Sequence, residues 1–319
     1  MKLSLGLVVS GLAILVFALP MSAVHATPPK VVYGEDNRVE VSEFPDARFR
    51  EFALSVAGKV RSMKLYTDRN NPDVFDFPKI TAGQDMNLCN DQRFINQYTL
   101  PVCSGFLVAP DVLVTAGHCV ESDFDCQTSS WVFDFLPGIQ SIAKKNVYRC
   151  KEVIKQELTS SWYKLRDYAV IRLERKVEDF RRPLKFRNEK TAHVGASLVV
   201  IGHPSAMPLK IADNAKIKPF NWVELLTPVR TIVRKKYYFT ANLDTFAGNS
   251  GSPVFNQKTG KIEGILVQGA TDYRRNPDNL NCIIPTQRSN STFTSSEKVY
   301  RITQVPGLKE IVKSSSTPE

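Results

Sequence analysis

The chain has 319 residues, 43% hydrophobic and 23% charged, a balance that fits soluble globular structure and excludes a wholly disordered or fibrous chain. The formal charge is +10, but the Lys and Arg are scattered, and clusters such as Arg181-Arg182 and Arg234-Lys235-Lys236 lack interleaved aromatics. The basic surface therefore reads as a solvated one, and no nucleic-acid partner is expected.

In chain order, Lys2 precedes an apolar run from Leu5 to Leu19, Pro20 ends it, and Val24-His25-Ala26 offers small residues for cleavage. Residues 1–26 read as a secretory signal peptide. The run is shorter than the ~20 residues of a spanning helix, and no second candidate span follows it. No membrane span is expected after signal removal, and the location is expected to be secreted or periplasmic. Six cysteines lie beyond the signal (Cys89, Cys103, Cys119, Cys126, Cys150 and Cys282), an even count that reads as a disulfide framework. None has zinc-site spacing, and Gly-x-Gly-x-x-Gly and Walker patterns are missing, so no metal and no cofactor are expected.

Residues 27–85 differ in texture from the rest of the chain and are read as an N-terminal extension or pro-segment. Within them, Val31-Val32-Tyr33 makes a short strand, and Phe49, Phe52, Ala53, Val56 and Ala57 recur at the spacing of a helix over Asp46 to Lys59. From about residue 92, short apolar runs alternate with Pro and Gly turns. They are Val102–Val108, Val112–Thr115, Trp131–Phe135, Tyr168–Leu173, Ser197–Ile201, Tyr237–Leu243, Pro253–Phe255 and Lys261–Val267. This pattern predicts an all-β sandwich or barrel. Thr271 to Glu297 reads as a polar loop around Cys282, and Val305-Pro306-Gly307 opens a short C-terminal helix.

The chemistry centres on Leu243 to Val254. There Ser250 precedes Gly251 in Gly248-Asn249-Ser250-Gly251-Ser252-Pro253. A serine on a glycine turn is either an ordinary hairpin residue or a nucleophile beside N–H donors for an oxyanion. A nucleophile needs a base, and only His118, His193 and His203 lie beyond the signal. His118 lies in Thr115-Ala116-Gly117-His118-Cys119, just after an apolar run, and a Cys103–Cys119 bridge would fix its backbone. A base in turn needs an acceptor. Asp167 continues the face that Ala169, Ile171 and Leu173 would share in a strand, a costly place for an unpaired charge. His193 and His203 read as structural.

These three motifs, in the order His, Asp, Ser, resemble the signatures of chymotrypsin-like (trypsin-fold) serine peptidases. The Asn-Ser-Gly-Ser-Pro version is similar to the bacterial glutamyl-endopeptidase-like branch. The resemblance covers about residues 90–305 and implies two antiparallel six-stranded Greek-key β-barrels, expected over residues 86–190 and 191–319. It implies a catalytic set of His118, Asp167 and Ser250, an oxyanion hole from the N–H groups of Gly248 and Ser250, and substrate pairing along Val267, Gln268 and Gly269. The implied activity is a monomeric serine endopeptidase acting on proteins or peptides; the competing reading is an inactive homologue that binds peptides or polyanions. A Cys103–Cys119 bridge matches the family; Cys126–Cys150 and Cys89–Cys282 are one of three pairings open to the other four.

Asn249 replaces the aspartate that pairs with a newly cut N-terminus in trypsin-like zymogens, so that activation is not expected at Lys30-Val31-Val32. Asp244 lies six positions before Ser250, where trypsins place the carboxylate that receives Arg or Lys, but Phe246 stands where the family has a cysteine. A basic-specificity pocket and a structural carboxylate both remain open for Asp244.

Overall fold

The structure is a computed structural model and describes residues 32–160, 165–219, 235–269, 271–290 and 297–316. The expected signal peptide and Lys30-Val31 lie outside them.

Six strands close the first barrel: β1 (Val56–Arg61), β2 (Cys103–Ala109), β3 (Val112–Thr115), β4 (Ser129–Val132), β5 (Val147–Ser160) and β6 (Leu165–Leu173). Around the barrel they run β5-β6-β3-β2-β1-β4, all neighbours antiparallel, and β4 pairs back onto β5. Six more close the second: β7 (Ser197–Gly202), β8 (Lys210–Lys218), β9 (Tyr238–Ala241), β10 (Pro253–Asn256), β11 (Ile262–Gln268) and β12 (Glu297–Arg301). Their order is β7-β10-β11-β12-β9-β8, with β8 returning to β7. Closure leaves few unpaired strand edges in a molecule of many short strands.

Side-chain alternation sorts the core. On β6, Ala169, Ile171 and Leu173 fill the first barrel with Leu107, Leu113 and Trp131. Tyr168 and Val170 point the other way, into a cluster between the barrels shared with Val199, Phe255, Ile265 and Tyr300. The second barrel is filled by Leu198, Val200, Ile217, Phe239, Val254, Leu266 and Val299. The expected period-2 reading of β6 is therefore what the fold uses, and Asp167 lies two positions before Ala169 on the same alternation.

The segment expected as an extension is built into both barrels. Helix α1 spans only Ala47–Ala53, capped by the Asp46 side chain on the Arg48 N–H. Its Phe49 and Phe52 pack on Phe255 of β10, with ring centroids 5.7 and 5.4 Å away. The expected helix to Lys59 stops early because Val56 to Arg61 is strand β1, hydrogen-bonded to β2 and β4. The first barrel thus begins at Val56, not near residue 86, since without β1 it could not close. Upstream, the strand Arg38–Glu40 adds a seventh strand to the second sheet by pairing with β8. The polar stretch around Cys282 also gains structure, a hairpin of Tyr273–Arg275 against Ile283–Pro285. Helix α2 (Leu308–Ser316) closes the chain as expected, burying Leu308 between the barrels.

All six cysteines pair: Cys103–Cys119, Cys126–Cys150 and Cys89–Cys282. No helix among the described residues is long and apolar enough to cross a membrane.

Candidate active site

His118 sits in the single 3-10 turn Gly117–Cys119 that comes directly after β3. The turn is pinned by the Cys103–Cys119 bridge to β2. Asp167 grips it twice. Oδ1 accepts the His118 backbone N–H at 3.1 Å, and Oδ2 lies 2.9 Å from ring Nδ1. A carboxylate there makes Nδ1 the protonated nitrogen and leaves Nε2 with a free lone pair. The His118 side chain is 31% exposed and that of Asp167 13%, so the imidazole is reachable while its partner is shielded. Cys103, His118 and Cys119 present donor atoms close together, but both sulfurs are in the disulfide and offer no thiolate to a metal.

The serine turn comes from the other barrel, between β9 and β10, and is fastened to the histidine's barrel. The Ser250 carbonyl accepts the Ser104 N–H at 2.7 Å. It also touches Cys119 Sγ at 3.6 Å, a packing contact because a disulfide sulfur carries no proton. Gly251 makes this fit possible: at φ +87 a Cβ would lie 2.0 Å from the Ser104 carbonyl oxygen and 2.1 Å from Thr115 Oγ1. Only glycine brings the turn this close to the base of β3. Among the described residues, neither the Gly248 nor the Ser250 N–H has an acceptor. Two adjacent donors left open beside a serine can stabilise a developing oxyanion.

Asp244 is only 2% exposed, and its carboxylate is already occupied. Oδ1 accepts the Tyr33 N–H at 2.7 Å, and Oδ2 accepts the Asn37 N–H at 2.9 Å and the Asn37 side-chain amide at 3.1 Å. Burial pushes its pKa up to about 6, against the lowering effect of these donors. Asp244 thus serves as a clasp for the N-terminal segment, and its oxygens are not presented to a substrate cation. Phe246, in the position of the missing cysteine, is buried under the Arg38 guanidinium, 3.9 Å from its ring centroid. Replacing Asp244 with alanine is expected to cost about 2–3 kcal/mol, because the Tyr33 N–H is left buried without an acceptor. Urea titration reads the loss, and the cleavage-site profile is expected to stay as it was.

The model of the trypsin-like peptidase domain matches residues 103–265, just over half of the chain. The chain belongs to that family. The trypsin-like peptidase is similar to a glutamyl endopeptidase of Bacillus licheniformis, 21% identical over 282 residues that cover 80% of this chain and 83% of that protein. Among solved structures it resembles an inactivated protease paralogue of the scabies mite at 12% identity and a TM-score of 0.51, covering 92% of this chain and 100% of that one. A structure of a Glu endopeptidase matches at 18% identity and a TM-score of 0.47, covering 89% and 99% of the two chains. The shared fold includes a protein named as inactivated, so activity has to be argued from the site.

In this trypsin-like peptidase His203 is a core residue, 1% exposed, whose Nδ1 donates to the Met207 carbonyl at 3.0 Å. Burial lowers its pKa to about 4. A histidine held neutral in the fold contributes stability above its unfolded pKa near 6.5, which is lost as pH falls toward 4. Asp244, raised to about 6, acts with the opposite sign between pH 3.8 and 6, because the folded state there holds the proton that the unfolded state has released. Comparison with a His203→Gln variant isolates the first effect. Between pH 6.5 and 4 the wild type is expected to lose about 3 kcal/mol relative to the variant, read by urea unfolding at each pH. Parallel curves would refute it.

Sequence reasoning missed the partners of Asp244 and of the oxyanion turn. Tyr33 and Asn37 are more than 200 positions away, and two of their three contacts to Asp244 are backbone N–H, which no side-chain pattern marks. Ser205, Asp272 and Tyr273, which hold the turn, look like ordinary loop polar residues. The one available signal was Gly202-His203-Pro204, a turn immediately before a non-glycine pair with positive φ, Ser205 and Ala206.

Proposed function

We propose that this chain is an exported serine endopeptidase that cleaves peptide bonds through an acyl-enzyme. Ser250 attacks the carbonyl carbon, its proton passes to His118 Nε2, and the N–H groups of Gly248 and Ser250 receive the oxyanion. His118 then protonates the leaving amine, and a water repeats the sequence to release the acyl group. Asp167 holds the imidazole tautomer and stabilises the imidazolium. The observation that carries this reading is the double grip of one carboxylate on the His118 ring and backbone. The substrate would pair along Val267, Gln268 and Gly269 at the end of β11 as an added strand. Three disulfides with no free cysteine fit an oxidising compartment, in line with a cleaved leader over residues 1–26.

A basic P1 preference has little support. Asp244 is committed to the N-terminal segment, and the charged side chain that reaches Gln268 is a cation, Lys298, with Nζ 2.6 Å from Gln268 Oε1. The competing reading, a binding homologue without activity, predicts no covalent chemistry. The deciding experiment treats the mature, oxidised protein with a fluorophosphonate and maps the adduct by mass spectrometry, then profiles an unbiased peptide library. An adduct on Ser250 with peptide cleavage supports the peptidase. No adduct and no cleavage rejects it.

A further inference from the structure

Ala247 is held through both of its peptide bonds, the one from Phe246 by its N–H and the one to Gly248 by its C=O. The Ala247 N–H donates to Asp272 Oδ2 at 2.7 Å, and the Ala247 carbonyl accepts the Ser205 N–H at 2.5 Å. Ser205 Oγ in turn hydrogen-bonds the Tyr273 hydroxyl at 2.6 Å. Asp272 and Tyr273 are neighbours, so the three contacts close a ring around Ala247: Ser205 fixes the plane of the Ala247–Gly248 peptide, and Asp272 fixes the plane before it.

The ring has a geometric consequence. All described peptide bonds are trans, and a trans peptide points its N–H opposite to its C=O. Turning the Ala247 carbonyl onto Ser205 therefore turns the Gly248 N–H away from the loop His203 to Ala206. That loop is the bed of Gly248: at φ +92 a Cβ there would lie 2.3 Å from the His203 carbonyl oxygen and 2.9 Å from the Ala206 nitrogen. Ser205 and Ala206 sit at φ 53 and 61, a left-handed pair that non-glycine residues adopt only where the surroundings enforce it. The strain presents the Ser205 N–H to Ala247.

The other arm of the ring is equally anchored. Tyr273 opens a short strand paired with Ile283–Pro285, next to Cys282 and its bridge to Cys89. Its ring lies 5.3 Å from that of Phe246, on the serine turn itself. Asn249 contributes no charge here; its side-chain oxygen accepts the Ser252 hydroxyl at 3.4 Å.

We infer that Ser205, Asp272 and Tyr273 are positioning residues that lock the Ala247–Gly248 peptide with its N–H presented to the oxyanion, without a charged N-terminal partner. The catalytic consequence rests on the peptidase reading above; the peptide orientation does not.

The test compares Asp272→Ala and Tyr273→Phe with Asp272→Asn, which keeps an acceptor for the Ala247 N–H, in the full mature protein. In Asp272→Ala kcat is expected to fall about 100-fold, and in Tyr273→Phe about tenfold, with KM changed less than about twofold. Affinity for a peptidyl trifluoromethyl ketone is expected to fall in step with kcat. In that adduct Ser250 Oγ adds to the ketone carbon, its proton passes to His118, and the former carbonyl oxygen becomes the oxyanion. Asp272→Asn is expected to stay within about threefold of wild type. In protein carrying 13C-carbonyl alanine and 15N-glycine, the amide signal of the Ala247–Gly248 pair is expected to move in Asp272→Ala and to hold in Asp272→Asn. An unmoved signal with unchanged kcat overturns the inference, as does an equal loss in Asp272→Asn or a loss confined to KM. A wild type that neither cleaves peptides nor binds the ketone overturns the peptidase reading instead, and the amide signal still decides the orientation.

Discussion

Replacing Ser250 with alanine is expected to lower kcat on a peptide substrate by about 10⁶-fold while the fold persists. The side chain to be removed is one hydroxyl, and what holds the turn in place belongs to the backbone: the Ser250 carbonyl on the Ser104 N–H, and the Gly251 N–H on the Leu266 carbonyl at 2.7 Å. Those contacts survive the substitution, so the melting temperature is expected to stay within about 2 °C. The open N–H groups at 248 and 250 also survive. The variant should therefore still bind substrate, and it should retain a weak acceleration over water of about 10³-fold from the oxyanion site. Active-site titration with a burst substrate and calorimetry measure both halves. Retained turnover in a purified, homogeneous variant would remove Ser250 from the chemistry.

Asp167→Asn is expected to lower kcat about 10⁴-fold with KM changed only a few-fold. The carboxamide oxygen can still accept the His118 backbone N–H, as Oδ1 does at 3.1 Å, so the turn keeps its shape. The other end of the group changes role. Oδ2 now accepts from Nδ1 at 2.9 Å, whereas an amide nitrogen in its place donates. The ring answers by moving its proton to Nε2, and an imidazole protonated there cannot take the Ser250 proton. Steady-state kinetics give the loss, and 15N shifts of the ring report the tautomer. A variant with unaltered kcat would show that Asp167 only braces the turn.

The parts of this molecule that could be read from its sequence are those whose signals are local. Thr115 to Cys119, Asp167 to Val170 and Gly248 to Pro253 each carry their residue types within a few positions. The structure places the first two in direct contact and brings the third against the same barrel. Cys103 and Cys119 pair as the resemblance implied, and the other four cysteines take one of the three pairings open to them. Strands β5, β8 and β12 escaped because Lys, Arg and Glu interrupt their apolar alternation, as in Lys210-Ile211-Ala212-Asp213-Asn214-Ala215-Lys216. Their hydrogen bonds come from partners set by barrel closure, which composition does not record. Strand β1 was hidden for a different reason. Val56 and Ala57 extend the i, i+3, i+4 pattern of α1, and only the demand of β2 and β4 for a neighbour makes that stretch extended. Asp244 shows the deeper limit: its position six before Ser250 invites a pocket role, and the Tyr33 and Asn37 groups that occupy it lie more than 200 positions away.

The pairing of Cys89 with Cys282, 193 positions apart, bears on how the protein can be made. A chain emerging from its amino end exposes five thiols before the sixth, and an odd set always leaves one thiol unpaired. The bridges spanning 16 and 24 positions can form as soon as the first barrel collapses, which leaves Cys89 as the one thiol waiting while β7 to β11 are made. The strand Arg38–Glu40 waits with it, because its neighbour β8 is made more than 150 residues later. The Cys89–Cys282 bridge can therefore shut only after Cys282 is made, later than the strap's partner β8. A folding catalyst that reshuffles disulfides should accelerate that step more than any earlier one.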